Sequence, residues 1–281
     1  MITFLLYLSY FAASAIVPLQ RRHLALREEG GGQIHFAFRV MTVIALIGLI
    51  IPFLSPFKLE GDPMKLVLLM IACGVLGALF WVTFYLAQRH VEAGIITLAT
   101  TVATPVAIVL ATVFLDERLT LTQMMGAVLL LVALILVSKK HRIGAFRFDR
   151  YFLLVLLSGA LLGVLYTAER ALQVETGLSA GTLLTWWAQV LCLGIAAFVM
   201  KNRTTYTVKD ALITGGVGSL QSVSWVVLLY VVGNLSLVSS IATFKVVIVF
   251  IAAAIFLKER EDLPRKIIGS LLAVIGLLLM H

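Results

Sequence analysis

Apolar runs long enough to cross a bilayer follow one another along this whole chain, separated only by short polar connections. A spanning helix needs about 20 apolar residues. In lipid, such a run has no stable backbone option but a helix, because hydrocarbon cannot satisfy a bare N–H or C=O. Bounding the runs by charged and turn residues places ten spans, at 2–20, 33–56, 65–88, 93–115, 121–138, 151–170, 178–200, 210–232, 236–257 and 264–280. No connection is long enough to hold a soluble domain. Only 13% of the 281 residues are charged, against about 25% in a soluble domain. The expected fold is an all-α polytopic membrane protein whose main surrounding partner is the lipid bilayer.

The net charge of +8 invites a nucleic-acid partner, but its distribution points to membrane topology. Of the 22 Lys and Arg, sixteen lie at the connections after odd-numbered spans. Four lie after even-numbered spans, and Arg39 and Lys245 lie inside spans. The positive-inside bias therefore puts both termini outside, in a plasma membrane or the inner membrane of a bacterial cell. The first run has no basic residue ahead of it, and Arg21 and Arg22 follow it, so it reads as a retained span rather than a signal peptide. Cys73 and Cys192 sit within apolar runs, without the spacing of a metal site or a disulfide framework.

The chain also repeats itself. Ile95–Arg118 aligns without a gap to Leu237–Arg260 at an offset of 142 residues, and each copy closes on F-L-x-E-R. The matching residues are Phe114, Leu115, Glu117 and Arg118 against Phe256, Leu257, Glu259 and Arg260, with Gly126 and Gly269 following. Two units result, 1–140 and 151–281, joined by a basic linker at 141–150. Five spans per unit is an odd number, so the second unit enters the membrane in the opposite sense. Inverted repeats of this kind build secondary transporters, with the substrate site between the halves.

These motifs resemble the EamA unit of the drug/metabolite transporter superfamily. Thr104-Pro105-Val106, Phe114 to Thr120 and Gly126 carry the resemblance in the first half; Phe256 to Arg260 and Gly269 carry it in the second. Phe38-Arg39 resembles the family's usual Arg at the start of its second helix. The resemblance implies ten helices, two EamA domains and alternating-access transport of a small organic solute. This chain departs from the family in its charge bias, since members commonly keep both termini cytoplasmic. It also has Val246-Val247 where the T-P pair would recur.

Lys245 is the sharpest candidate for substrate binding. A charge at bilayer depth costs about 2.5–3.5 kcal/mol even on insertion scales, and no carboxylate lies within a turn of it. It reads as an anchor for an anionic or carboxylate-bearing substrate, or as a cation held by backbone carbonyls at a helix break. Ser236, Ser239, Ser240 and Thr243 line the opposite face of the same span, and Thr97, Thr100, Thr101 and Thr104 form the same stripe in the fourth. Such stripes serve helix packing or line a pathway.

Trp81 and Tyr85 share a face with Gly74, Gly77, Ala78 and Gln88; Gln221 and Trp225 share one with Gly218 and Ser222. Tyr166 and Gln189 join them as candidates to enclose an amphipathic ligand. Arg39, with His35 four residues before it, reads as a snorkelling or gating charge. Glu169 and Arg170 end the sixth span near the outer interface as an ion pair or a gate. Pro105 removes a backbone hydrogen bond and marks a hinge or a packing kink.

No acidic residue is expected mid-span, which weakens a cation-exporter reading and favours an anion, a zwitterion or uncoupled transport. No nucleotide-binding loop or nucleophile–base pair is evident, so no cofactor and no enzyme activity are expected. The leading expectation is a secondary transporter of a small organic metabolite, acting as a monomer or homodimer. The alternatives are a flippase for a lipid-linked substrate or a membrane scaffold.

Overall fold

A computed structural model of the chain describes residues 2–27, 32–59, 61–88, 90–115, 120–138, 150–200, 205–232, 238, 242, 245–258 and 263–279, and every regular element among them is a helix. Glu117, Arg118, Glu259, Arg260, the linker up to residue 149 and the hydroxyl residues Ser236, Ser239, Ser240 and Thr243 lie outside the described residues. In chain order the helices are α1 (Ile2–Arg27), α2 (Gln33–Gly48), α3 (Pro63–Gln88), α4 (Ala93–Ala99), α5 (Ala103–Leu115), α6 (Leu121–Ser138), α7 (Arg150–Met200), α8 (Val208–Val232), α9 (Lys245–Phe256) and α10 (Leu263–Leu279). Five helices among the described residues are long and apolar enough to cross a membrane: Thr3–Leu26, Gln33–Phe53, Pro63–Gln88, Arg150–Met200 and Val208–Val232.

Three boundaries differ from the sequence reading, each for a local reason. The first helix continues through Arg21 and Arg22 to Arg27, because charge stops a hydropathy run but does not break a helix. The fourth span is interrupted by a 3₁₀ turn at Thr100–Val102. This turn lies just ahead of Pro105, whose ring has no N–H to give the Thr101 carbonyl four residues back.

The sixth and seventh spans follow one another within α7 as two helices with no loop between them. α7 breaks at Gly177, with φ 80° and ψ 179°, a conformation open essentially to Gly alone. A Cβ at Gly181 would lie 2.7 Å from the Gln173 Cα, and Gln173 Nε2 donates to Thr182 Oγ1 at 3.1 Å. The chain therefore doubles back, and α7 has two legs that touch at the break.

Glycine seams bring the helices together. In α3, a Cβ at Gly74 would meet the Ala188 carbonyl at 2.9 Å, and one at Gly77 would meet Gln189 at 2.3 Å. In α8, Gly215 and Gly218 do the same against Val43 and Ile44 of α2. On the first leg of α7, Gly159 and Gly163 seat against the Ala99 and Ala103 carbonyls, at 2.9 and 2.5 Å. Lipid supplies no hydrophobic drive between helices, so close approach at small residues carries the packing. The outward faces stay apolar, as with Val67, Ile71 and Val75 on α3 and Leu191, Ile195 and Phe198 on α7.

The pairings have a two-fold pattern. α3 packs on α7 while α8 packs on α1 and α2; α1 meets α9 while α7 meets α5; α6 packs on α10. Polar ties gather at two ends. Arg22 Nη1 donates to the Gln88 carbonyl at 2.8 Å, Lys266 pairs with Glu92, and His90 stacks on Tyr151 at 3.6 Å. At the other end Lys65 pairs with Glu175, and Ser179 donates to the Ser55 carbonyl.

The seams make a paired prediction for thermal unfolding in detergent. Gly163→Ala lowers the midpoint by the equivalent of about 1–3 kcal/mol, because a backbone carbonyl blocks the new methyl. Gly216→Ala, with nothing within 4 Å of its Cβ, leaves the midpoint unchanged or raises it by up to about 1 kcal/mol. Equal losses in the two variants would contradict the packing described.

Candidate functional site

Helices from both ends of the sequence wall a cavity of about 160 Å³. A void of about 150 Å³ suffices to bind benzene, so the space suits a small solute. From α1 come Tyr10, Ser14, Val17, Pro18 and Arg21, one face of the helix; Met41 comes from α2 and Phe80, Trp81 and Phe84 from α3. Thr97 and Thr100 enter from α4 and the turn after it. The first leg of α7 supplies Leu162, Leu165, Tyr166 and Glu169, and the second Trp186 and Gln189. Gly218, Gln221, Ser222, Trp225 and Val226 of α8 and Lys245 of α9 complete the wall.

Lys245 faces this cavity. Its Nζ donates to the Tyr10 hydroxyl at 2.9 Å and lies 5.4 Å from the Tyr10 ring centre. A side chamber of about 40 Å³ continues past it, lined by Thr100, Thr101, Ala103 and Thr104. The threonine hydroxyls of this stretch turn back onto their own helix: Thr97 to the Ala93 carbonyl, Thr100 to Thr97 and Thr101 to Leu98. The stripe on the fourth span thus sits beside the lysine, with the hydroxyl protons of Thr97, Thr100 and Thr101 already committed.

Trp81, Tyr166, Gln189, Gln221 and Trp225 also line the cavity. Trp81 Nε1 donates to Gln189 Oε1 at 3.1 Å, and Tyr166 stacks on Trp225 at 5.1 Å. The indole N–H of Trp225 is buried without a hydrogen-bond partner. Tyr85 is set apart from these. It is not among the lining residues but packs behind them, its ring 5.4 Å from the Arg21 guanidinium and 5.7 Å from Trp81.

Two charges of this wall were not placed there by the sequence reading. Hydropathy puts Arg21 in a connection, yet only 7% of it is exposed and its guanidinium sits over Trp81 at 4.8 Å and Phe84 at 5.9 Å. Glu169 was assigned to the outer interface, yet the helix runs on for two more turns and leaves it 5% exposed, with Oε1 unpartnered. The expectation of no acidic residue mid-span is corrected with it. Arg170, one residue on, is turned about 100° away and half-buried, and no Glu169–Arg170 ion pair forms among the described residues. A signal for both was present: Tyr10, Ser14, Val17 and Arg21, and Leu162, Leu165, Tyr166 and Glu169, keep helical spacing with aromatic or hydroxyl residues.

The remaining candidates lie elsewhere. Arg39 Nη1 donates to the Tyr206 carbonyl at 3.2 Å, tying α2 to the segment before α8, and His35 is half-buried on the same helix. Neither lines the cavity. Pro105 follows the 3₁₀ turn and is likewise outside the cavity wall. A second proline, Pro18, lines the cavity directly and cannot donate to the Ser14 carbonyl; the Ser14 hydroxyl is also buried without a partner.

Comparison with known proteins places these features in a wider group. Residues 1–139 match the EamA-like transporter family. Over 219 residues, 74% of this chain and 71% of the relative, the sequence is 29% identical to a probable terminal-alkyne amino-acid exporter of Streptantibioticus cattleyicolor. A protein of known crystal structure, 11% identical, shares the fold with a TM-score of 0.63 over 99% of this chain and 98% of its own.

A cavity wall whose charges have no ionic partner among the described residues has a stability signature. Lys245→Met and Glu169→Gln keep side-chain volume while removing a charge from the cavity wall, so each leaves the ligand-free unfolding midpoint unchanged or raises it. A lower midpoint in both variants would show that these charges hold the fold.

Proposed function

We propose, from the match of residues 1–139 to the EamA-like transporter family, that this chain is a secondary transporter moving a small organic metabolite by alternating access. The observation that carries the proposal is Lys245, an intramembrane cation lining a cavity between helices of the two halves. Such a charge has no stabilising role against lipid and pairs with a negative group of the cargo. Aromatic and amide side chains around it, from Trp81 to Gln221 and Trp225, match the apolar remainder of an amphipathic molecule. The similarity to a protein named as an amino-acid exporter supports a carboxylate-bearing, amino-acid-like cargo.

Ten spans in two inverted five-helix units make the architecture proposed for this activity. Its support is threefold. The helix starts at Leu121 and Leu263 keep the 142-residue offset, the helix pairings interchange between the halves, and the polar ties join odd-numbered connections at one end and even-numbered ones at the other. A single chain walls the cavity, which suits a monomer or a homodimer of independent pathways. The charge count places the odd-numbered connections in the cytoplasm and both termini outside.

In reconstituted vesicles, Lys245→Ala reduces uptake of amino acids by roughly a hundredfold, the loss from deleting one partner of a buried charge contact, while size-exclusion behaviour stays that of wild type. Uptake at the wild-type rate would remove Lys245 from the mechanism. Topology is checked separately by reporters fused after His281. Activity of a periplasmic reporter is expected, and activity of a cytoplasmic one would reverse the orientation.

A further inference from the structure

Arg21 and Glu169 occupy matching positions on two helices. Ser14, Val17, Pro18 and Arg21 of α1 recur as Leu162, Leu165, Tyr166 and Glu169 of α7, at a constant offset of 148 residues, and all eight line the cavity. One half presents a guanidinium where the other presents a carboxylate. Resting on the transporter reading above, we propose that the cavity is bipolar and selects zwitterions: Glu169 receives the substrate's ammonium group, while Arg21 joins Lys245 in receiving its carboxylate.

Three observations lead there. Both side chains are more than nine-tenths buried, Arg21 at 7% and Glu169 at 5% exposure. Neither is neutralised within the protein: Glu169 Oε1 and Arg21 Nε lack hydrogen-bond partners, and no ion pair joins Arg21, Glu169 or Lys245 to one another among the described residues. The third concerns what already holds the cations. Aromatic rings face Arg21 and a phenol hydroxyl binds Lys245, contacts that fix position without cancelling charge.

Buried charges held apart in this way need an occupant of complementary polarity. A plain carboxylate would satisfy the two cations and set a second negative charge in the cavity with Glu169. A plain amine would satisfy Glu169 and be repelled by the two cations. An α-amino acid meets all three groups, with charge-assisted hydrogen bonds at both ends, and its side chain falls against Trp81, Tyr166 and Trp225. Specificity then comes partly from repulsion of the one-charge analogues.

The test uses matched probes on the full-length protein in vesicles: alanine, norvaline and phenylalanine, each beside its deaminated acid and its decarboxylated amine. For at least one set, wild-type protein takes up the amino acid about tenfold or more above both analogues, the worth of one buried charge contact. Glu169→Gln, which keeps shape and folding, equalises the amino acid and the deaminated acid. Arg21→Gln lowers uptake of both. Deaminated acids transported as well as the amino acids by wild type, or a preference for the amino acid that survives Glu169→Gln, overturns the bipolar site and leaves the transporter reading standing. Transport of no probe in any set overturns both.

Discussion

Three charged side chains share one cavity in a protein whose surroundings are hydrocarbon, and no ion pair joins them among the described residues. Arg21, Glu169 and Lys245 line the same wall, each on a helix that must remain helical to satisfy its backbone. The rest of the architecture answers to that constraint. Elsewhere the helices close until backbones nearly touch, with glycine against carbonyl at Gly74 and Gly163. Around the charges they are held open by large rings: Trp81, Tyr166, Trp186 and Trp225. Tight seams and a propped centre together leave a space of about 160 Å³ between the helices.

α3 and α8 use the same parts for packing and different parts for the wall. Gly74 and Gly77 of α3 recur 141 residues later as Gly215 and Gly218 of α8, and each pair seats its helix on an equivalent neighbour. Continuing along those helices, Phe80, Trp81 and Phe84 recur as Gln221, Ser222 and Trp225, so an aromatic wall faces a more polar one. Arg21 against Glu169, and Ala103 against Lys245, break the likeness further. Packing conserves the repeat because the seams tolerate only small residues. The lining is free to differ, and its differences give the cavity polarity.

Much of this was legible in the sequence. The apolar runs mark where the helices lie, and the faces of α3 and α8 carry Trp81, Gln221 and Trp225 to the cavity; the two-unit reading of the F-L-x-E-R repeat rests on residues that fall partly outside the described ones. Lys245 was read from the cost of its charge. Arg21 and Glu169 were misplaced for one physical reason: hydropathy ends a span at the first charge, whereas an α-helix continues as long as its backbone bonds do. α1 ran six residues past Arg21 and the first leg of α7 seven past Glu169. Tyr85 shows the opposite limit. Helical spacing puts it on the face of Trp81, but whether a residue on a face reaches the cavity or backs a neighbour is decided by what packs there, here the Arg21 guanidinium.

The central claim, that this cavity is the transport pathway, is tested most directly by its accessibility. In a background with Cys73 and Cys192 replaced by Ala, Ser222→Cys places one thiol on the cavity wall. A charged, membrane-impermeant thiol reagent is then added to one side of sealed vesicles, and to the other side in a separate sample. An alternating pathway predicts labelling from both sides, slowed in each case by transported amino acid. Labelling from one side alone, or from neither, would contradict it.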